Sequence, residues 1–469
     1  MKFRFLYLFM IILLMLSTPF QAVRGQSSYP FYEIQPGDSL GYIADLFGTT
    51  IDEIAQLNNI ANIDLISPGE IILIPSYPGQ QGLLTIKSTD LGETYSSLPV
   101  KYQIAPDSVQ RFNSILSPAS IYAGSELILL IPSDHVELVP VEIISREHLI
   151  LDSAAHLGVN PQTLLLLNHF SSASELLPGS VIFLPENPER QPLDLFSPQL
   201  GQVSLSPLPL IQGGSEVISV LSNQDVEISG FIGDLPLHFF NAETGQYISL
   251  QGVHALQEPG LVEFSLTATD HAGNTKTFSQ SVLVEPGNFD EDPALKVDPS
   301  TIDPSVTGPE NELVATLVSN ITSTKYWEGV FISPAYYQEY NSLFGTRRRY
   351  NDDPTIYFHT GVDFAGGMTL PINAPAPGRV VFAGPLTVRG NAVFIDHGWG
   401  VFSGFFHQDT IIVEVGDFVE AGQQIGTVGN TGRVNGAGDY VGAGAHLHWE
   451  LWVNGIQVNP LDWLYQEYP

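Results

Sequence analysis

The sequence predicts a multidomain fold: small α/β (βααβ) repeats, then a β-sandwich, then a mainly antiparallel β domain at the C-terminus. Three observations lead there. A chain of 469 residues is too long for one hydrophobic core, since single cores stop growing near about 250–300 residues. A pattern of Asn, then Gly eleven residues later, then an apolar run ending in Pro occurs three times before residue 186. Beyond residue 203, short β-rich runs alternate with turn signals.

The chain opens with a basic start at Lys2 and Arg4, an apolar stretch from Phe5 to Leu16, and small residues Val23 and Gly25 at −3 and −1 of a cleavage point. Residues 1–25 therefore read as a signal peptide, or, if uncleaved, as an N-terminal anchor and the sole membrane contact. Either way the rest is expected outside the cytoplasm, secreted or associated with the cell wall. The chain has 50 Asp+Glu against 17 Lys+Arg, a formal charge of −33. That charge repels phosphates and argues against a nucleic-acid partner. With no cysteine, disulfides and thiolate metal sites are excluded, so any metal must be held by His and carboxylate.

The repeat landmarks are Asn58, Gly69 and Ile71–Pro75; Asn113, Gly124 and Leu127–Pro132; and Asn168, Gly179 and Val181–Pro185. In the first copy Tyr32-Glu33-Ile34 reads as a strand. Pro36-Gly37-Asp38-Ser39 caps a helix through Ala44, Thr50–Leu57 gives a second helix, and Ile71–Ile74 returns as a strand. This βααβ unit, residues 32–76, with Gly37-Asp38-Ser39-Leu40 and Pro75 in place, resembles the LysM family, which implies binding of N-acetylglucosamine-containing glycans. Residues 84–133 and 141–186 are degenerate LysM-like repeats that lack the Gly-Asp-Ser opening, so glycan binding and a spacer role both stay open for them.

Residues 203–285 contain runs such as Val217–Val220 and Phe264–Ala268 with turns at Ile232-Gly233-Asp234 and Ala272-Gly273-Asn274, which predicts a small β-sandwich. The hairpin Gly260–Asn274 resembles bacterial immunoglobulin-like (Ig-like) domains. From 286 to 324 the chain is rich in Pro, Asp, Glu and Ser, the composition of an acidic linker.

Ligand-type residues cluster in the last segment, 325–469, as His359-Thr-Gly-Val-Asp363, as His407, and as His446-Leu-His448-Trp-Glu450. On a strand, His446, His448 and Glu450 share one face while Leu447, Trp449 and Leu451 share the other. A catalytic zinc site needs about three protein ligands and an open position, a requirement that His359, Asp363 and His448 would meet. His407 and His446 remain as groups to move a proton and steady an oxyanion.

Residues 342–469 resemble the M23 (LytM/lysostaphin-type) endopeptidases of peptidoglycan. The resemblance rests on Phe344-Gly345-Thr-Arg347, His359-Thr-Gly361-Val-Asp363, Ala374-Pro375-Ala376-Pro-Gly378, Asp396-His397-Gly398, Gly429-Asn430-Thr431-Gly432 and His446-Leu-His448-Trp-Glu450. It implies Zn²⁺ held by His359, Asp363 and His448, and His407 and His446 as catalytic histidines. Two departures stand out: Phe405-Phe406-His407-Gln408 replaces the usual Tyr-Ala-His-Leu, removing a hydroxyl, and the loop Arg433–Ala445 is longer. His397 is expected to be structural. Arg347-Arg348-Arg349 is either a carboxylate-binding cluster or solvated surface. A resemblance of Val413–Val428 to lipoyl-carrier hairpins fails, because no Lys follows Lys325.

The expected function is an exported zinc metalloendopeptidase that cuts peptide bonds of peptidoglycan. It would contact the glycan through LysM and the peptide stem or cross-bridge through the C-terminal domain. The alternatives are a catalytically inactive M23-like activator of another wall hydrolase and a glycan-binding wall protein.

Overall fold

The computed structural model describes residues 28–115, 117, 120–133, 135–144, 150–177, 180–187, 199–351, 353–434 and 444–469. The expected leader, the Gly179 landmark and most of the long Gly-rich loop lie outside these residues. The chain divides into two units, one of residues 1–86, 102–114 and 128–136, the other of residues 87–101, 115–127 and 137–469. Among the described residues no helix is long and apolar enough to cross a membrane.

In the first unit the strands Phe31–Glu33 and Ile71–Leu73 pair antiparallel around the helices Leu40–Leu46 and Ile51–Asn58. Ser39 caps the first helix by accepting from the Tyr42 N–H, and Thr50 with Glu53 forms a capping box on the second, which meets the unpaired N–H groups of each first turn. Leu40, Ile43, Phe47, Ile54 and Ile72 close the core. The sheet continues through Leu83–Ser88 and Glu126–Ile131, so the first two repeats share one sheet.

The repeat asparagine has the same job in all three copies. Asn58 Nδ2 donates to the Ile54 and Leu73 carbonyls and Oδ1 accepts from Leu73 N. Asn113 does this with Val109 and Ile128, and Asn168 with Leu164 and Phe183. Each side chain ties the end of the second helix to the strand 15 residues on. It supplies donors and an acceptor that an apolar residue could not.

In the second unit, strands from Gln202 to Glu285 form a five-stranded and a four-stranded sheet. Ile218 and Val220 of one meet Phe264, Leu266, Ala268 and Val282 of the other. At the Asp270–Thr275 turn, Asp270 Oδ1 accepts from Ala272 N and Asn274 N. This layer is not a detached module. Ile248, Leu250 and Ala255 belong to the same core as Trp327, Phe364, Leu447 and Trp463 of the C-terminal domain, and Trp463 Nε1 donates to Ser215 Oγ at 3.0 Å.

Glu216, on the strand Ser215–Leu221, is fully buried. Burial, only partly offset by the Ile211 backbone, pushes the pKa of its carboxyl well above the usual carboxylate range. The stability linked to this group is full below its unfolded pKa and is lost as pH rises through the raised folded value. Glu216→Gln is therefore expected to raise the melting temperature by a few degrees at pH 8 and to flatten its dependence on pH above 5. Differential scanning calorimetry at pH 5 and pH 8 checks this, and an unchanged pH profile would contradict it.

The stretch expected to be a linker, 286–324, is instead structured. Pro304–Val318 is a helix with Asp303 as N-cap and Pro304 at its first turn. Glu310, Val314 and Val318 recur every fourth residue on its buried side. The two valines pack with Phe394, Phe402, Phe406 and Trp452. The Asp and Pro that suggested a linker are also the residues that start a helix.

The C-terminal domain is a mainly antiparallel β-sheet. Its strands run in the order Tyr340–Ser342, Val362–Ala365, His446–Val453, Val401–Ile411, Gly390–Gly398, Gly378–Leu386, Phe418–Val419. Leu447, Trp449, Leu451 and Val453 point into the core on one side. This leaves the other side of His446–Val453 to carry polar groups.

Candidate metal centre

Three strands build the site. Across the antiparallel pair of Val362–Ala365 and His446–Val453, Asp363 lies directly opposite His448, so the two side chains emerge on one face. His359 precedes the first of these strands and is 3% exposed. Its Nε2 lies 3.1 Å from Asp363 Oδ1 and 3.0 Å from His448 Nδ1, and His448 Nδ1 lies 2.7 Å from Asp363 Oδ1. The ligand atoms of this trio all lie within 4.8 Å of one another.

The surroundings fix which ring nitrogens are available. His359 Nδ1 is 2.9 Å from the Leu343 carbonyl, which can only accept, so that nitrogen carries the hydrogen and Nε2 keeps its lone pair. His448 Nε2 is 3.1 Å from Glu450 Oε1, which directs the opposite nitrogen, Nδ1, toward Asp363. Glu450 is held in turn by Thr360 Oγ1 and Gln457 Nε2. Carboxylate or carbonyl partners of this kind set the tautomer of ligating histidines.

The electrostatics favour a cation. Burial opposes charge on His448, but Asp363 and then Glu450 push its pKa up to about 9. Asp363, despite its burial, is held well below the usual carboxylate range by His359 and His448. Zinc bonds of about 2.0–2.1 Å place tetrahedral ligands roughly 3.3 Å apart. The trio's separations of 2.7–3.1 Å are slightly tighter than that, and two nitrogens with one carboxylate oxygen are the donor set zinc accepts. The residues fit the ion.

His407 and His446 stand beside this trio, their ring centroids 5.1 Å apart. His446 Nδ1 faces the Gly444 carbonyl at 2.9 Å and its Nε2 is 3.6 Å from Asp363 Oδ1. His407 Nδ1 faces the Thr431 carbonyl at 2.8 Å. Burial, then the neighbouring His446 and His448, drives the His407 pKa well below its ordinary value, so the ring is neutral. Simple strand alternation would point Phe406 and His407 to opposite faces, yet both line the same cleft. His407 has φ 60°, and the register with Gly390–Gly398 slips between Asn391 and Val393. The β-bulge re-aims the imidazole into the site.

The cleft, about 860 Å³, is lined by all five histidine and aspartate candidates, by Arg348, Arg389 and Arg433, and by connector residues Leu295–Asp298 and Thr307. Sequence reasoning missed Glu450 as a partner of His448 and missed the connector wall altogether. Phe405, standing where the resemblance implies a tyrosine, faces the core rather than the cleft, while Phe406 stacks on His448 at 5.4 Å. His397 is fully buried with both ring nitrogens engaged, by the Pro377 carbonyl and Ser403 Oγ, and its pKa falls to about 4 through burial. It is a packing residue. The arginine cluster splits up: Arg347 binds Gln212 and the Ala255 carbonyl, Arg348 pairs with Asp292, and Arg349 with Glu291.

Residues 357–460 match Peptidase family M23, and residues 32–75 and 144–185 match the LysM domain. The third repeat is thus matched despite lacking the Gly-Asp-Ser opening. The chain is 35% identical over 128 residues to the peptidoglycan DD-endopeptidase ShyC of Vibrio cholerae, a stretch covering 27% of this chain and 28% of that relative. It is 40% identical over 105 residues to the lipoprotein NlpD of Yersinia enterocolitica, covering 22% of this chain and 99% of that relative. The solved catalytic domain of the antimicrobial peptidase lysostaphin from Staphylococcus simulans is 26% identical, with a TM-score of 0.21 over 30% of this chain and 93% of that one. The chain spans less than a third of the curated endopeptidases it matches. From the matched C-terminal segment and the near-complete coverage of NlpD, the chain belongs to peptidase family M23 and carries LysM domains.

Proposed function

We propose that the protein is an exported zinc metalloendopeptidase that hydrolyses peptide bonds of bacterial peptidoglycan. In this reading residues 1–25 are its leader, the LysM repeats hold it on the wall, and residues 203–285 form an Ig-like sandwich. The observation that carries the reading is the convergence of His359, Asp363 and His448 with His407 and His446 beside them in one cleft.

Zinc, when bound, supplies a Lewis acid for the scissile carbonyl and a water of lowered pKa. The chain's own residues do the rest. Glu450 and the Leu343 carbonyl hold the ligand rings in the ligating tautomers. His407 is neutral, with Nδ1 committed to Thr431, and presents Nε2 as a proton acceptor. Together with His446 it moves the proton to the leaving amine and steadies the oxyanion. An inactive activator of another hydrolase would be favoured by a lost ligand, but all five residues are present. Metal analysis of the purified chain, with mass spectrometry of the muropeptides it releases, tests the reading.

The tether carries its own expectation. A chain cut to residues 199–469 should bind insoluble peptidoglycan at least about tenfold more weakly than the full chain, because linked modules raise effective concentration. Equal retention of the two in a sedimentation assay would remove the tether from the proposal.

A further inference from the structure

The connector helix Pro304–Val318 lies outside the family-matched segment, yet it reaches the candidate catalytic histidine through a chain of hydrogen bonds. Glu310 is 6% exposed. Its Oε2 accepts from Val388 N at 2.8 Å, and its Oε1 accepts from Arg389 N at 3.2 Å and from the Arg389 guanidinium at 2.9 Å. One buried carboxylate thus caps two consecutive N–H groups and a cation, the strong, charge-assisted kind of contact.

The turn so clamped holds His407. The Arg389 carbonyl accepts from His407 N at 2.9 Å, at the residue whose left-handed backbone puts the ring into the cleft. A non-glycine residue in that region stays there only when its surroundings impose it. Thr431 and Asn391 hold the other side of the bulge: Thr431 Oγ1 donates to the Gln408 carbonyl, and Asn391 Nδ2 does the same. A second branch leads to the metal trio. The Arg389 guanidinium that Glu310 fixes lies 5.4 Å from the Phe406 ring centroid, and Phe406 stacks on His448.

We propose that Glu310 is a positioning residue, which fixes the Val388–Arg389 turn and through it the bulge that aims His407. It contacts no ligand of the metal trio and acts through Arg389. The role rests on the assignment of His407 as a proton-handling group. A segment that composition marks as a linker would then be part of the catalytic machinery.

The test uses the full-length, zinc-loaded chain with Glu310→Gln and Glu310→Ala. Glutamine keeps the size but loses one acceptor and the charge. Turnover is expected to fall about tenfold in Glu310→Gln and further in Glu310→Ala, with KM and zinc content unchanged. Adding either substitution to His407→Asn should cost almost nothing more, since residues acting through one another are non-additive. Amide hydrogen exchange at His407 should speed up in Glu310→Gln whether or not the wild type hydrolyses peptidoglycan, so an inactive wild type would defeat the functional reading while this readout still decides the positioning role. Unchanged exchange at His407, an additive loss in the double variant, or zinc lost along with turnover would overturn the proposal. So would a failure of both variants to fold, which would make Glu310 a residue of stability alone.

Discussion

His448→Ala is expected to strip zinc from the chain and to abolish hydrolysis with it. The substitution removes one of the three proposed protein ligands and the partner that holds Asp363 Oδ1 at 2.7 Å. Asp363 would keep only His359 at 3.1 Å as a close partner in the trio, which is too few donors for a stable site. Glu450 would keep Thr360 and Gln457, so the strand end stays bonded and folding can be verified by circular dichroism. Zinc per chain, read by plasma mass spectrometry, should drop from about one to near zero. Turnover should fall beyond the roughly 10²–10⁴-fold that loss of an acid–base group costs. Chelation of the wild type should reproduce the loss, and zinc should restore it, because an open site without thiolates exchanges its metal. Full hydrolysis by verified metal-free protein would end the zinc mechanism.

The parts of this site that follow strand periodicity were legible in the sequence. His446, His448 and Glu450 alternate with Leu447, Trp449 and Leu451, and the strand is split in that way between site and core. The repeat asparagines were legible as landmarks, but their 15-residue ties appear only when helix end and strand are seen together. His407 was legible as a spare histidine, but strand periodicity did not place it in the site. Alternation would have pointed it away from Phe406, and a bulge is a departure from the periodicity that sequence reading relies on. The connector was misread for a related reason. Asp303-Pro304-Ser305 looks like linker composition, and the helix it starts packs through a short apolar stripe of Val314, Leu317 and Val318 beside Glu310. A buried carboxylate in that place makes sense only with Val388 and Arg389 in view.

His446→Ala and a His407 variant should behave differently from His448→Ala, keeping zinc near wild-type occupancy while turnover falls by roughly 10²–10⁴. Neither ring belongs to the converging trio: His446 is oriented by the Gly444 carbonyl and His407 by Thr431. The choice of substitution at 407 matters. Alanine in the left-handed region carries a backbone penalty of roughly 1 kcal/mol, so a loss of activity could come from a collapsed bulge. Asparagine tolerates that region, so His407→Asn removes the imidazole and leaves the Arg389 carbonyl bonded to the backbone N–H. If the ring is what matters, His407→Asn and His407→Ala should lose turnover to a similar extent with zinc retained. If His407→Asn stays within about threefold of wild type while His407→Ala does not, the position matters for backbone shape and the proton passes through His446 alone. Loss of zinc from His446→Ala together with its retention in His448→Ala would reverse the ligand assignment within His-Leu-His.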